Sequence, residues 1–172
     1  MKKGLFLRVL LVLALALVVW GCTIRISFSG ASISPDVKTV RVDYFNNMAS
    51  YVAPILSSTF TDDLTTKIQR ETSLTFTKET PDVLFEGVII DYSSAPVAIS
   101  GDEYAQENRL TIAIRVSFTN RVEPQYSFEN KTFTAYSNYS SSEVLTSVES
   151  TLIPEIVEQL VEDVFNAAFS NW

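Results

Sequence analysis

Cys22 is the only thiol in a chain of 172 residues that contains no histidine. A lone cysteine cannot close an intrachain disulfide or build a thiolate metal cluster. With no imidazole in the chain, Ser-His-Asp and Cys-His arrangements and histidine metal ligands are all excluded. Carboxylates are the remaining candidates. Asp62-Asp63 and Glu162-Asp163 are adjacent pairs, and Asp102-Glu103 with Glu107 forms a third group. An acid–base dyad needs both carboxyls in one cleft with their pKa values pushed apart. Neighbours on a helix project about 100° apart, so each pair reads as a solvated helix face. For the Glu-rich face of the last helix, docking is the other reading. The third group reads as loop polarity, against the alternative of a held cation. No catalytic residue, cofactor-binding residue or metal ligand is assigned.

The charge balance narrows the partners. The formal net charge is −7, and residues 1–22 hold Lys2, Lys3 and Arg8 but no acid. The remaining residues therefore carry −10. Nucleic acid is excluded as a partner, because a polyanion needs a basic face. Beyond residue 22 the glycines are Gly30, Gly87 and Gly101, which build no phosphate-cradling loop. Two clusters could meet a partner. Arg109, Arg115, Arg121 and Lys131 are the cations of the later strands. Tyr126, Phe128, Phe133, Tyr136 and Tyr139 form either core packing or an aromatic platform.

The first 22 residues read as a targeting segment. Lys2 and Lys3 precede an unbroken apolar run of twelve residues, Val9 to Trp20. Such a run covers about 18 Å as a helix, too short for a hydrocarbon core of ~30 Å, and it fits a signal-peptide h-region. It ends in Val19-Trp20-Gly21-Cys22, which resembles a bacterial lipobox. The implied chemistry is diacylglycerol on the Cys22 thiol, cleavage between Gly21 and Cys22, and acylation of the new amino group. Several acyl chains at ~0.8 kcal/mol per buried methylene make a stable anchor. The expected division is a lipoprotein signal peptide at 1–21, a lipidated Ser-rich tether at 22–36 and one domain at 37–172.

The elements follow from periodicity. Val37–Phe45 alternates as a strand, and Pro54–Arg70 carries Leu56, Phe60, Leu64 and Ile68 as a helical stripe. Thr72–Lys78 is a short strand and Val83–Tyr92 a central one. Residues 93–108 form a long polar connection whose tip near Gly101 is a candidate contact. Arg109–Thr119 alternates strictly, Asn120–Gln125 makes a hairpin connection, and Tyr126–Tyr136 is a last strand bulged near Asn130–Lys131. Thr146 with Glu149 fits a capping box for the final helix, and Pro154 must lie in its first turns or kink it. The order β-α-(β)-β-β-β-α predicts an α+β two-layer sandwich. Its two helices pack on one face of a mixed four-stranded sheet, or a five-stranded one if Thr72–Lys78 joins.

Several segments taken in order resemble the LptE family, lipopolysaccharide-assembly lipoproteins of diderm bacteria. They are Ser27-Phe28-Ser29-Gly30-Ala31-Ser32, Pro35 to Val40, Tyr44-Phe45-Asn46-Asn47, and Phe85-Glu86-Gly87. Asn108 to Ile112, Phe118-Thr119-Asn120 and Glu158 to Phe165 complete the set. The resemblance implies the same sandwich and a non-enzymatic task. It also implies an outer-membrane location on the periplasmic side, anchored by lipid. Members plug the LptD β-barrel, help it assemble, and contact lipopolysaccharide on its way to the surface. Basic residues make those contacts in the family; Arg109, Arg115, Arg121 and Lys131 are the cations available here, and none is assigned that role. A periplasm-facing lipoprotein of similar fold in another envelope assembly or secretion complex is the alternative.

Overall fold

Alternation of apolar and polar residues after Val37 starts the sheet. The computed structural model describes residues 33–51, 53–97 and 107–170. Strand β1 (Thr39–Val42) and the two-residue β2 (Asn46–Asn47) both run parallel to β4 (Val83–Val97), at successive positions along it. The expected strand 37–45 is thus broken at Asp43–Phe45. Phe45 turns inward, fully buried, and meets Phe60 edge-on at 4.8 Å. The break has a partner in Gly87 of β4. A Cβ there would lie 2.4 Å from both Phe45 Cε1 and the Arg115 carbonyl oxygen.

Helix α1 (Leu56–Glu71) buries Leu56, Phe60, Leu64 and Ile68, the predicted stripe. It begins two residues later than expected, with Pro54 in the turn before it. Strand β3 (Thr75–Phe76) then pairs parallel with β1. Asp82 ties the start of β4 to the start of β1. Its carboxylate accepts the Lys38 and Thr39 amides at 2.9 Å each, which holds it below the ordinary aspartate range.

The second half is an antiparallel meander. β4 pairs with β5 (Glu107–Asn120), and β5 pairs with β6 (Phe128–Ser140) after a 3₁₀ turn at Pro124–Tyr126. The sheet order is β3-β1-β4-β5-β6, with β2 beside β4. Six strands therefore stand where four or five were expected. Helix α2 (Leu145–Phe169) closes the chain. Both helices and the inward residues of β4, β5 and β6 share one core, in which Phe45, Phe60, Phe85, Phe118 and Phe169 are fully buried. A fully buried aromatic side chain stabilises by roughly 2–3 kcal/mol, so this cluster anchors both layers.

Two further expectations need correction. Residues 93–97 and 107–108 are strand, paired from Ser93↔Thr111 to Val97↔Glu107, so the polar connection is shorter than predicted. A register shift between Ile89 and Asp91 moves the core face to the even residues of β4, and there the pattern turns polar. Those inward polar groups satisfy one another: the Tyr92 hydroxyl donates to Glu149 at 2.7 Å, and Ser94 Oγ meets the Tyr139 hydroxyl at 2.7 Å. The second correction follows from the first. Glu149 serves Tyr92, not a capping box, and Val144 sits at the N-cap of α2 with no side-chain cap bond. Pro154 lies inside α2, in its third turn and on the exposed side. The bulge in β6 is where it was expected: the register shifts between Val116 and Phe118, and Asn130 adopts φ 52°.

Candidate docking surfaces

α1 and α2 lie side by side and run the same way, as the pairing of Lys67 with Glu162 and of Asp63 with Glu158 shows. Lys67 is the hinge of this contact. Its ammonium bridges Glu71, at 2.9 Å, and Glu162 on α2, and it stands 5.2 Å from the centre of the Phe165 ring. Burial works against its charge, but the hydrogen bonds to Glu162 and Glu71 outweigh that and raise its pKa. The hydrogen bond from Lys67 holds Glu162 below the ordinary glutamate range. One step along the groove, partial burial and then the charges of Asp62 and Glu158 push Asp63 upward. The groove encloses about 310 Å³ between Asp63, Lys67, Arg70, Pro154, Glu158 and Glu162.

The structure therefore splits each adjacent carboxylate pair. Asp63 and Glu162 line the groove, whereas Asp62 and Asp163 do not. Of these two groove carboxylates, Lys67 neutralises Glu162, and Asp63 stays at the solvent side.

Among the described residues no helix covers the opposite face of the sheet. It presents Thr111, Ser117, Thr119, Thr132 and Thr134 around Arg115, with Leu84 and Ala113 buried between them. At one end a ladder forms. The Arg109 guanidinium stacks 3.8 Å from the centre of the Tyr136 ring, and its Nε donates to Asn138 Oδ1 at 3.0 Å. Asn138 Nδ2 in turn donates to Glu107 at 3.0 Å.

The sequence clusters disperse. Of the aromatic group, Phe133 and Tyr139 are buried and Phe128 packs against the core, while Tyr136 is exposed over Arg109. Tyr126 falls in the 3₁₀ turn. The four cations form no common patch. Arg109 and Arg115 stand six residues apart on β5, Lys131 lies 5.4 and 5.2 Å from the Phe128 and Phe133 rings, and Arg121 follows the end of β5. Six strand residues span about 20 Å. Gly21, Cys22, Gly101, Asp102 and Glu103 lie outside the described residues. Sequence reasoning missed an apolar group, Tyr44, Met48, Tyr51 and Ile55, exposed between β1 and α1. Tyr51 stacks on Tyr92 at 5.2 Å. The only signal was four large apolar residues in a segment with no regular period.

A family model described as lipopolysaccharide-assembly, LptE, matches residues 37–168. The chain belongs to the LptE family. The matched span starts at Val37, the first buried residue before β1, and ends at Ala168 in the last turn of α2. The LptE domain is thus the whole sandwich described above. Among solved structures, the hypothetical protein CT253 from Chlamydia trachomatis superposes with a TM-score of 0.53 at 10% identity, over 78% of this chain and 99% of that one. The likeness is one of fold. A minor lipoprotein from Acinetobacter baumannii gives a TM-score of 0.45 at 12% identity over 72% and 91% of the two chains. Lipoprotein GNA1162 from Neisseria meningitidis gives 0.43 at 7% over 75% and 99%. Among curated protein sequences no significant match is found.

Proposed function

We propose that this LptE-family chain is the acylated subunit of an outer-membrane lipopolysaccharide translocon. It plugs an LptD-like β-barrel, helps that barrel assemble, and aids delivery of lipopolysaccharide to the surface. The family match over residues 37–168 carries the reading. Its exterior suits the task physically. A hydroxyl-rich sheet face and an acidic helix layer fit a water-lined barrel lumen, which is polar in such proteins. No helix among the described residues is long and apolar enough to cross a membrane. Attachment in this reading falls to Cys22, acylated after cleavage behind Gly21, with the domain on the periplasmic side of the outer membrane. Ile33 follows Cys22 by eleven residues. At ~3.4 Å per extended residue the tether reaches at most about 37 Å, so the domain works close to its anchor. The subunit acts by contact and filling, without catalysis and without a cofactor.

Affinity purification of the intact protein from detergent-solubilised outer membranes tests this. A stoichiometric β-barrel of much larger mass is expected, together with loss of that barrel's folded form when the subunit is depleted. Recovery of the subunit alone from outer membranes ends the proposal.

A further inference from the structure

The sheet stops at β6, and among the described residues no strand pairs with its outer edge. An antiparallel edge strand turns the N–H and C=O of alternate residues away from its neighbour. Exposed edges normally carry charges, prolines or bulges that block a further strand. In β6 these devices sit only near its start, as Glu129, Lys131 and the bulge at Asn130. From Thr132 to Ser140 the edge reads Thr-Phe-Thr-Ala-Tyr-Ser-Asn-Tyr-Ser, with no charge, proline or glycine.

Helix α2 decides what fits beside that edge. Ser137 Oγ donates to Glu155 at 3.0 Å, which places Glu155 beside the last third of β6. At the other end Phe128 and Phe169 both pack on Phe118, so α2 and β6 run in opposite directions. Glu155, Gln159 and Asp163 follow at four-residue intervals along one flank of α2, all exposed. Eight helical residues rise about 12 Å and four strand residues span about 13 Å. With Glu155 beside Ser137, Asp163 therefore falls near Phe133. A second copy of this chain suits the edge poorly, because pairing β6 with itself would bring two such acidic flanks together.

We propose that the outer edge of β6, from Thr132 to Tyr139, receives an extended segment of a partner protein that adds one strand to the sheet. That segment carries Lys or Arg four residues apart on its helix side, opposite Glu155 and Asp163. Strand addition supplies affinity through main-chain hydrogen bonds, and the spaced cations supply register. The inference does not depend on the partner being a barrel, so its test and the co-purification above fail independently.

Hydrogen exchange of the intact acylated chain in detergent reads the edge directly. The probe is the peptide Thr-Lys-Thr-Val-Thr-Lys-Thr-Val-Thr, which places both lysines on one face of a strand. Two controls replace both lysines by Glu, or move the second lysine one position earlier onto the other face. With probe at about ten times its Kd, outward amides within residues 132–139 should slow about tenfold. Neither control should slow them, and Glu155→Lys with Asp163→Lys should transfer the response to the Glu peptide. Equal slowing by all three peptides, or none by any, overturns the proposal. So does slow exchange of this edge in the chain alone that is relieved on removing residues 23–32, or that rises with protein concentration. The three peptides decide the matter on the natural chain even if the double variant does not fold.

Discussion

At the scale of single residues, Gly87 and Lys67 carry more than their types suggest. Gly87 is needed for space: its missing Cβ is where the Phe45 ring and the Arg115 carbonyl oxygen close on β4. The ring could shift, but the carbonyl belongs to the central ladder. Gly87→Ala should therefore cost about 2–3 kcal/mol, as overpacking of a core does, seen as a lower midpoint in urea at unchanged slope. Lys67 joins three elements of charge and packing, and its side chain is only 14% exposed. Lys67→Met keeps the contact with Phe165 but removes the hydrogen-bonded cation of Glu162 and leaves Glu71 only Arg70, at 3.5 Å. A loss of about 1–2 kcal/mol is expected near neutrality. The pH dependence gives the sign. Glu162 has its pKa lowered in the fold, so its contribution is present above the ordinary carboxylate range and fades as pH falls through the folded value. The penalty of Lys67→Met should fade with it. Asp63 behaves oppositely. Its pKa is raised, so the charged form costs stability once pH climbs through the carboxylate range. Asp63→Asn should raise the melting temperature at neutral pH and leave it unchanged under acid, where Asp63 is already protonated. Because the group is exposed, the gain should stay near ~0.3 kcal/mol.

Among the elements, β6 shows how a local irregularity sets long-range order. The bulge at Asn130 inserts one residue before the regular pairing with β5 resumes at Val116↔Lys131. Its φ of 52° lies in the left-handed region, which asparagine tolerates and β-branched residues do not. Asn130→Val should cost about 1–2 kcal/mol, while Asn130→Gly should be neutral or stabilising by thermal melting. The register from Thr132 onward follows from this residue. So does which side chains of β6 point at the core and which at solvent, because a shift of one residue exchanges the two faces. The same device acts in β4. Beyond Ile89 the core-side positions of β4 become Tyr92 and Ser94, whose hydroxyls bond Glu149 and Tyr139.

For the whole molecule, the proposed attachment rests on one residue outside the described structure, Cys22. Cys22→Ser should abolish incorporation of labelled fatty acid and leave the precursor uncleaved behind Gly21, while circular dichroism of the purified domain stays unchanged. Retained labelling would place the anchor elsewhere. Among the described residues the sandwich distributes its surfaces unevenly: acidic helices on one side, a hydroxyl-rich sheet on the other, an apolar group between β1 and α1, and an unpaired edge at β6.

Much of this order is legible in the amino-acid sequence. Leu110, Ile112, Ile114, Val116 and Phe118 alternate so strictly that β5 could be read to within two residues. Leu56, Phe60, Leu64 and Ile68 marked the buried stripe of α1 for the same reason. Periodicity records which face of an element leaves water, and that information is local. It does not record which neighbour covers the face. The break of the first strand at Phe45, the strand pairing of residues 93–97, the meeting of Lys67 with Glu162 and the exposure of Tyr136 each depend on residues distant in the chain. These were decided by tertiary packing alone. A bulge or a missing Cβ changes the contact without changing the pattern, because hydrophobic burial is non-directional and only geometry selects its partner.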